Sequence, residues 1–294
     1  MEPITINDPT FERACIARHL GPWMVEPHWF GKAVGLIKAG MFQVQETEPS
    51  EFKLFTLDRT GVATIPMIGP MMKGDSKYGG TNTLRTRRAV RRATADGDVK
   101  SIMLHIDSPG GTVSGTAELA NDVRQANQRK PVFAHIEDVG ASAAFWVASQ
   151  ARRITATPTS EVGSIGTVAV VEDSSEAAGA EGVKVHVIST GAFKGAFADG
   201  APVTDEHLDY LKELVGDLNK HFLAGVSRGR GLSIAKVRES ADGRVFLAAE
   251  GQERGLIDAV GTIDDATRNI RREAGRIQQA SRGRAIALAR AKGV

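Results

Sequence analysis

Two side chains stand 52 positions apart in turns of small residues: Ser142 in DVGASAAFW (138–146) and Lys194 in GAFKGAF (191–197). A serine hydroxyl is a weak nucleophile until a base takes its proton. A free lysine, with a pKa of about 10.4, is protonated at neutral pH and cannot accept one. Apolar surroundings disfavour the ammonium and lower that value by several units, which turns the amine into a base. Phe193 and Phe197, with small neighbours between them, are placed to supply such surroundings. Histidine is the commoner partner, but His105, His135 and His186 all fall inside predicted strands. A Ser-His-Asp arrangement stays open on sequence grounds, and lysine is the better base.

The Pro109-Gly110-Gly111 turn adds a third part. Consecutive glycines present backbone N–H groups with no side chain in the way of an approaching carbonyl. Together with the amide of Ala143, the residue after the serine, they would make an oxyanion hole. Each feature alone has an ordinary explanation. A serine before an apolar helix is commonly an N-cap, a Pro-Gly-Gly turn is commonly structural, and a lysine in a glycine loop is commonly an exposed cation. Their co-occurrence, with a Gly163-Ser164-Ile165-Gly166 turn between them, favours acyl transfer.

The elements that must position these turns alternate in type. Strands are predicted at 61–67, 100–106, 132–136, 153–156, 165–171, 183–188 and 244–247. Helices are predicted at 83–94, 114–128, 142–149, 204–228 and 248–254, with shorter pieces at 174–180 and from 233. Strands alternating with crossover helices imply parallel pairing and an α/β fold, with the turns at the carboxyl ends of strands. Too few regular units are present for a TIM barrel. Three parts are expected: an N-terminal arm (1–60), a main domain (61–266) and a basic helical tail (267–294). The arm carries an apolar stripe at Trp29, Phe30, Ala33, Val34, Leu36 and Ile37, read as a flap packed on the main domain or on a sister subunit.

Bulk composition narrows the classes. At 294 residues, with 41% hydrophobic and 24% charged content, the chain is a globular protein with a sizeable core. A formal charge of +2 singles out no acidic partner. The arginines of 83–94 lack the interleaved aromatics of a nucleic-acid surface and are read as a solvated face, so no nucleic-acid partner is expected. The single cysteine, Cys15, excludes an internal disulfide and a cysteine metal cluster, and neither metal nor cofactor is expected. The first twenty residues carry acids and prolines where a signal peptide needs an apolar run, and no stretch reaches membrane-spanning length. The expectation is a soluble protein without a transmembrane anchor that stays in the compartment where it is made.

The motifs IDSPGGTVSG (106–115), GASAAFWVAS (140–149), VGSIGTVAVV (162–171) and STGAFKGA (189–196) resemble those of the S49 peptidases, the signal peptide peptidase A family, in order and interval. The likeness runs from about Gly61 to Ala266 and is nearest to the bacteriophage and prophage capsid assembly proteases. WMVEP (23–27) and STGAFKGAFADGAPVTDE leading into a long helix point to that branch. The resemblance implies a ClpP/crotonase-like ββα superhelix and a serine endopeptidase with a Ser-Lys dyad. Ser142 would be the nucleophile, Lys194 the general base, and Ser164 the group that orients the lysine. Gly110, Gly111 and Ala143 would form the oxyanion-hole region. It also implies a homo-oligomer enclosing its active sites, in some relatives with the lysine crossing a subunit boundary. Implied substrates are phage scaffold, capsid or portal proteins, with apolar or small residues at the cleaved bond. Three alternatives stand beside this: a soluble protease degrading cellular peptides, a crotonase-type acyl-CoA enzyme, and a non-catalytic assembly module.

Overall fold

A computed structural model describes residues 22–26, 53–75, 79–273 and 275. In chain order its elements are β1 (Trp23–Val25), β2 (Thr56–Leu57), β3 (Val62–Ile68), β4 (Met71–Met72), β5 (Thr81–Asn82), α1 (Thr83–Ala95), β6 (Ser101–Ser108), β7 (Gly110–Thr112), α2 (Thr116–Arg129), β8 (Val132–Ala141), α3 (Ala143–Ala148), β9 (Arg153–Ala156), β10 (Glu161–Gly163), α4 (Ser175–Ala180), α5 (Asp205–Arg230), α6 (Ile234–Arg238), β11 (Val245–Leu247), α7 (Ala248–Glu253) and β12 (Ala259–Val260). Residues 263–273 are helical.

The larger sheet runs β11-β10-β8-β6-β3-β2, with β9 beside β8 and β12 beside β9. Its centre is parallel: β3 pairs with β6, β6 with β8, and β8 with both β9 and β10. Hence the continuous apolar run of β6 is almost wholly buried, as a strand covered on both faces must be. A smaller sheet, β1-β7-β4-β5, stands at the carboxyl ends of these strands. It grows out of the chain directly: β6 ends at Ser108, and β7 begins at Gly110.

Helix α1 buries Thr86, Ala89, Val90 and Ala93, a 3.6-residue stripe, and α2 buries Leu119, Ala120, Val123 and Ala126 in the same rhythm. Asn82 caps α1 by accepting from the Arg85 amide at 2.9 Å. The arginine-rich face of α1 is partly consumed within the fold: Arg87 and Arg91 both reach the buried Asp122 of α2, at 2.7 and 3.0 Å. Six-residue α3 is too short to be stable alone, and every one of its residues is buried. Its brace is α5, whose fully buried Phe222 stacks on Trp146 with ring centroids 5.2 Å apart. Replacing Phe222 by alanine opens a cavity under α3, and a loss of about 3–5 kcal/mol in urea unfolding is expected.

Two strand expectations are corrected. Residues 165–171 form no strand beyond a single bridge at Val168, and 183–188 have no regular structure. Beyond the Val168 bridge, their β-branched residues find no ladder partner among the described residues, and propensity without a partner does not make a strand. In the N-terminal arm, where no strand is predicted, residues 23–25 form β1 and residues 56–57 form β2. Cys15, the stripe at 29–37 and most of the basic tail lie outside the described residues. Among the described residues, no helix is long and apolar enough to cross a membrane.

Candidate active site

Strand β8 carries the chain to Ala141 and α3 starts at Ala143, so Ser142 is the hinge between them. Its backbone is held at φ 53°, ψ −118°, a conformation that side-chain-bearing residues rarely adopt. Two bonds enforce it: Ser142 N donates to Gly163 O at 2.7 Å, and Trp146 N donates to Ser142 O at 2.9 Å. The ordinary N-cap explanation fails, because the Ser142 side chain makes no capping bond. Its Oγ is buried without any hydrogen-bond partner, a condition that costs about 1–3 kcal/mol. A strained strand-to-helix turn holding a bare hydroxyl is the geometry of a nucleophile elbow.

The glycine turn lies against this serine. Gly110 has φ 99°, a left-handed value that suits glycine. A Cβ on Gly110 would lie 2.9 Å from both the Ala143 nitrogen and the Ser142 Cβ, and would collide with the Met24 carbonyl oxygen. A Cβ on Gly111 would collide with the Met71 backbone. Ser108, which the sequence reading passed over, fixes the turn: its Oγ donates to Gly69 O at 2.6 Å and accepts from Gly110 N at 3.3 Å. Ser142, Ala143 and Gly110 are therefore brought together. Gly111 continues beside them in β7.

Ser164 is brought to the same place by register. Gly163 pairs with Ala141 across the parallel β8–β10 ladder, so Ser164 and Ser142 are the next residues on adjacent strand ends. Ser164 also has positive φ, 47°, is buried, and is pinned by its amide donating to Arg244 O at 2.8 Å.

Lys194 is not brought there within this chain. It sits in an exposed turn, its amide donating to Gly191 O at 3.0 Å, on the irregular segment 181–204. The expected aromatic enclosure is corrected as well. Phe193 packs on Tyr210 at 5.0 Å and Phe197 on His207 at 5.8 Å, so both turn toward α5 and leave the lysine exposed.

His135, the histidine nearest in sequence to Ser142, lies mid-strand in β8 with both ring nitrogens buried and unpartnered. Burial, with the neighbouring His105, pushes its pKa down to about 4, against a pull upward from Glu137. His105 itself is 2.7 Å from Glu137. A depressed histidine pKa means that the unfolded chain binds the proton first. Stability is therefore complete above pH 6.5, falls as pH drops toward 4, and loses about 3 kcal/mol by the end of that window. Replacing His135 by glutamine should flatten the midpoint of urea unfolding against pH between 6.5 and 4.

Residues 124–276 match the family model described as Peptidase family S49, and the chain belongs to that family. Membership places it among peptidases. Over 214 residues it is 30% identical to the Synechocystis sp. protein named "Putative protease slr0021", covering 72% of this chain and 73% of that one. It is 32% identical over 175 residues to "Putative protease MJ0651" of Methanocaldococcus jannaschii, covering 60% and 56%. It is 29% identical over 215 residues to "Capsid assembly protease C" of Escherichia phage lambda, covering 70% and 48%. The chain thus spans about half the length of the last two.

Proposed function

We propose that this chain is a serine endopeptidase in which Ser142 is the nucleophile and Lys194 the general base, built on a ClpP/crotonase-like superhelix. The observation that carries the reading is the meeting of the unpartnered Ser142 hydroxyl, the Ala143 amide and the side-chain-free Gly110 at the end of β8. Ser142 Oγ attacks the peptide carbonyl carbon and its proton passes to Lys194 Nζ. The N–H of Ala143 and of the Gly110–Gly111 turn hold the oxyanion. Collapse expels the amine, which takes the proton back from Lys194. Water, deprotonated by the same lysine, then attacks the acyl ester, and Lys194 returns that proton to the departing Ser142 Oγ, which frees the serine and the amine for another cycle. Ser164, on the adjoining strand end, orients the amine.

The exposure of Lys194 favours its delivery to Ser142 of a neighbouring copy. The segment that carries it and the stretch before α4 are unusually apolar for a free surface: Val183 and Ile188 on the first are 52% and 97% exposed, and Val170 on the second is 62% exposed. Covering them in a homo-oligomer would supply the missing ladder partners and the apolar setting that the amine needs.

The likeness to the lambda capsid assembly protease supports phage scaffold, capsid or portal precursors as substrates. Incubating the full chain with phage scaffold, capsid and portal proteins should give discrete fragments by mass spectrometry, absent with Ser142→Ala. Intact head proteins, alongside cleavage of unfolded casein, would leave a protease of general peptides instead.

A further inference from the structure

Strand β1 lies against the Gly110–Gly111 turn beside Ser142. It pairs antiparallel with β7 in the register Trp23–Thr112, Met24–Gly111, Val25–Gly110. On its other edge Trp23 N donates to Val168 O at 2.7 Å and Val168 N to Trp23 O at 2.9 Å. The segment is thus held by backbone bonds on both edges, to strand β7 on one and to the single bridge residue Val168 on the other.

Its register places one carbonyl at the site. Val113 N donates to Pro22 O at 3.3 Å, and Glu26 N donates to Pro109 O at 2.7 Å. Antiparallel bonds recur at alternate pairs, so the pair midway between these, Met24–Gly111, is hydrogen-bonded too, with the Gly111 N–H facing the Met24 carbonyl. That carbonyl oxygen occupies the space a Gly110 Cβ would need, the same point that lies 2.9 Å from the Ala143 nitrogen and the Ser142 Cβ. Met24 is fully buried, and so is Ser142. A nucleophile with no exposed surface beneath a strand cannot be reached by another peptide until that strand leaves.

We propose that Trp23–Val25 is a tethered substrate mimic, with the Met24 carbonyl in the position of the acyl group to be attacked. This rests on the peptidase reading above and extends it to substrate class. The site takes an extended peptide by strand addition, with backbone bonds supplying affinity and an unbranched apolar side chain like that of Met24 filling the buried pocket on the acyl side. A three-residue strand is among the elements that open most cheaply, which suits an occupant that must give way. Tethering holds it at an effective concentration in the millimolar range, so a free peptide competes at a disadvantage.

The test is the rate at which a fluorophosphonate labels Ser142 in the full-length protein and in full-length Met24→Asp and Trp23→Pro variants. The aspartate puts a carboxylate in the buried pocket. The proline removes the N–H that bonds Val168 and buries no charge, so it decides the matter if Met24→Asp loses its cooperative thermal transition. Labelling at least tenfold faster in a folded variant is expected. Labelling of all three proteins at one rate overturns the mimic and leaves the peptidase reading intact. Absence of labelling in all three removes both.

Discussion

Ser142→Ala should lower peptide-bond hydrolysis by about 10⁴–10⁶-fold, to the residual level that a binding site without its nucleophile sustains. The same substitution should leave thermal stability unchanged or raise it by about 1 kcal/mol. The hydroxyl it deletes is buried and bonded to nothing, so the folded state loses no interaction and sheds an unsatisfied group. A serine kept for structure would behave in the opposite way, since losing a cap costs about 0.5–2 kcal/mol. Kinetics with a fluorogenic peptide and a thermal melt on one preparation read both signs. Loss of stability with activity retained would assign Ser142 to capping after all.

Lys194→Ala should cost about 10²–10⁴-fold, the range of a general base. Its exposure in a single chain makes the mixing experiment more informative than the single variant. Ser142→Ala and Lys194→Ala proteins, each inactive, should recover activity when unfolded together and reassembled. If copies mix at random in a symmetric ring, about a quarter of the sites would pair an intact serine with an intact lysine from the next copy. No recovery, in a mixture shown by native mass spectrometry to have exchanged subunits, would put the lysine in the same chain as its serine.

The turns that meet at Ser142 were legible because each carries strong local signals. Pro109-Gly110-Gly111, Gly140-Ala141-Ser142 and Gly163-Ser164 each mark the end of a strand, and parallel register does the rest by setting those ends side by side. The helices were equally visible: α1 and α2 bury regular apolar stripes, and α1 and α5 begin at capping side chains. Thr204, for instance, accepts from the His207 amide at 3.3 Å at the head of α5. What failed was everything that depends on a partner. Residues 165–171 and 183–188 have strand-like composition, but beyond the Val168 bridge no neighbour among the described residues completes the ladder. Phe193 and Phe197 looked like walls around Lys194, yet α5 offers Tyr210 and His207 as nearer apolar surface. Strand β1 was missed for the converse reason: three residues flanked by prolines give no periodicity, and only the open edge of β7 makes them a strand.

The most direct test of the central claim is to trap the acyl-enzyme by acid quench during turnover of an activated peptide ester, then to map the adduct by tandem mass spectrometry. The account predicts one acyl group, on the peptide that contains Ser142, appearing at the rate of the burst and absent from Ser142→Ala. Hydrolysis of the ester with the acyl group found on another residue, or with Ser142 never modified, would contradict it.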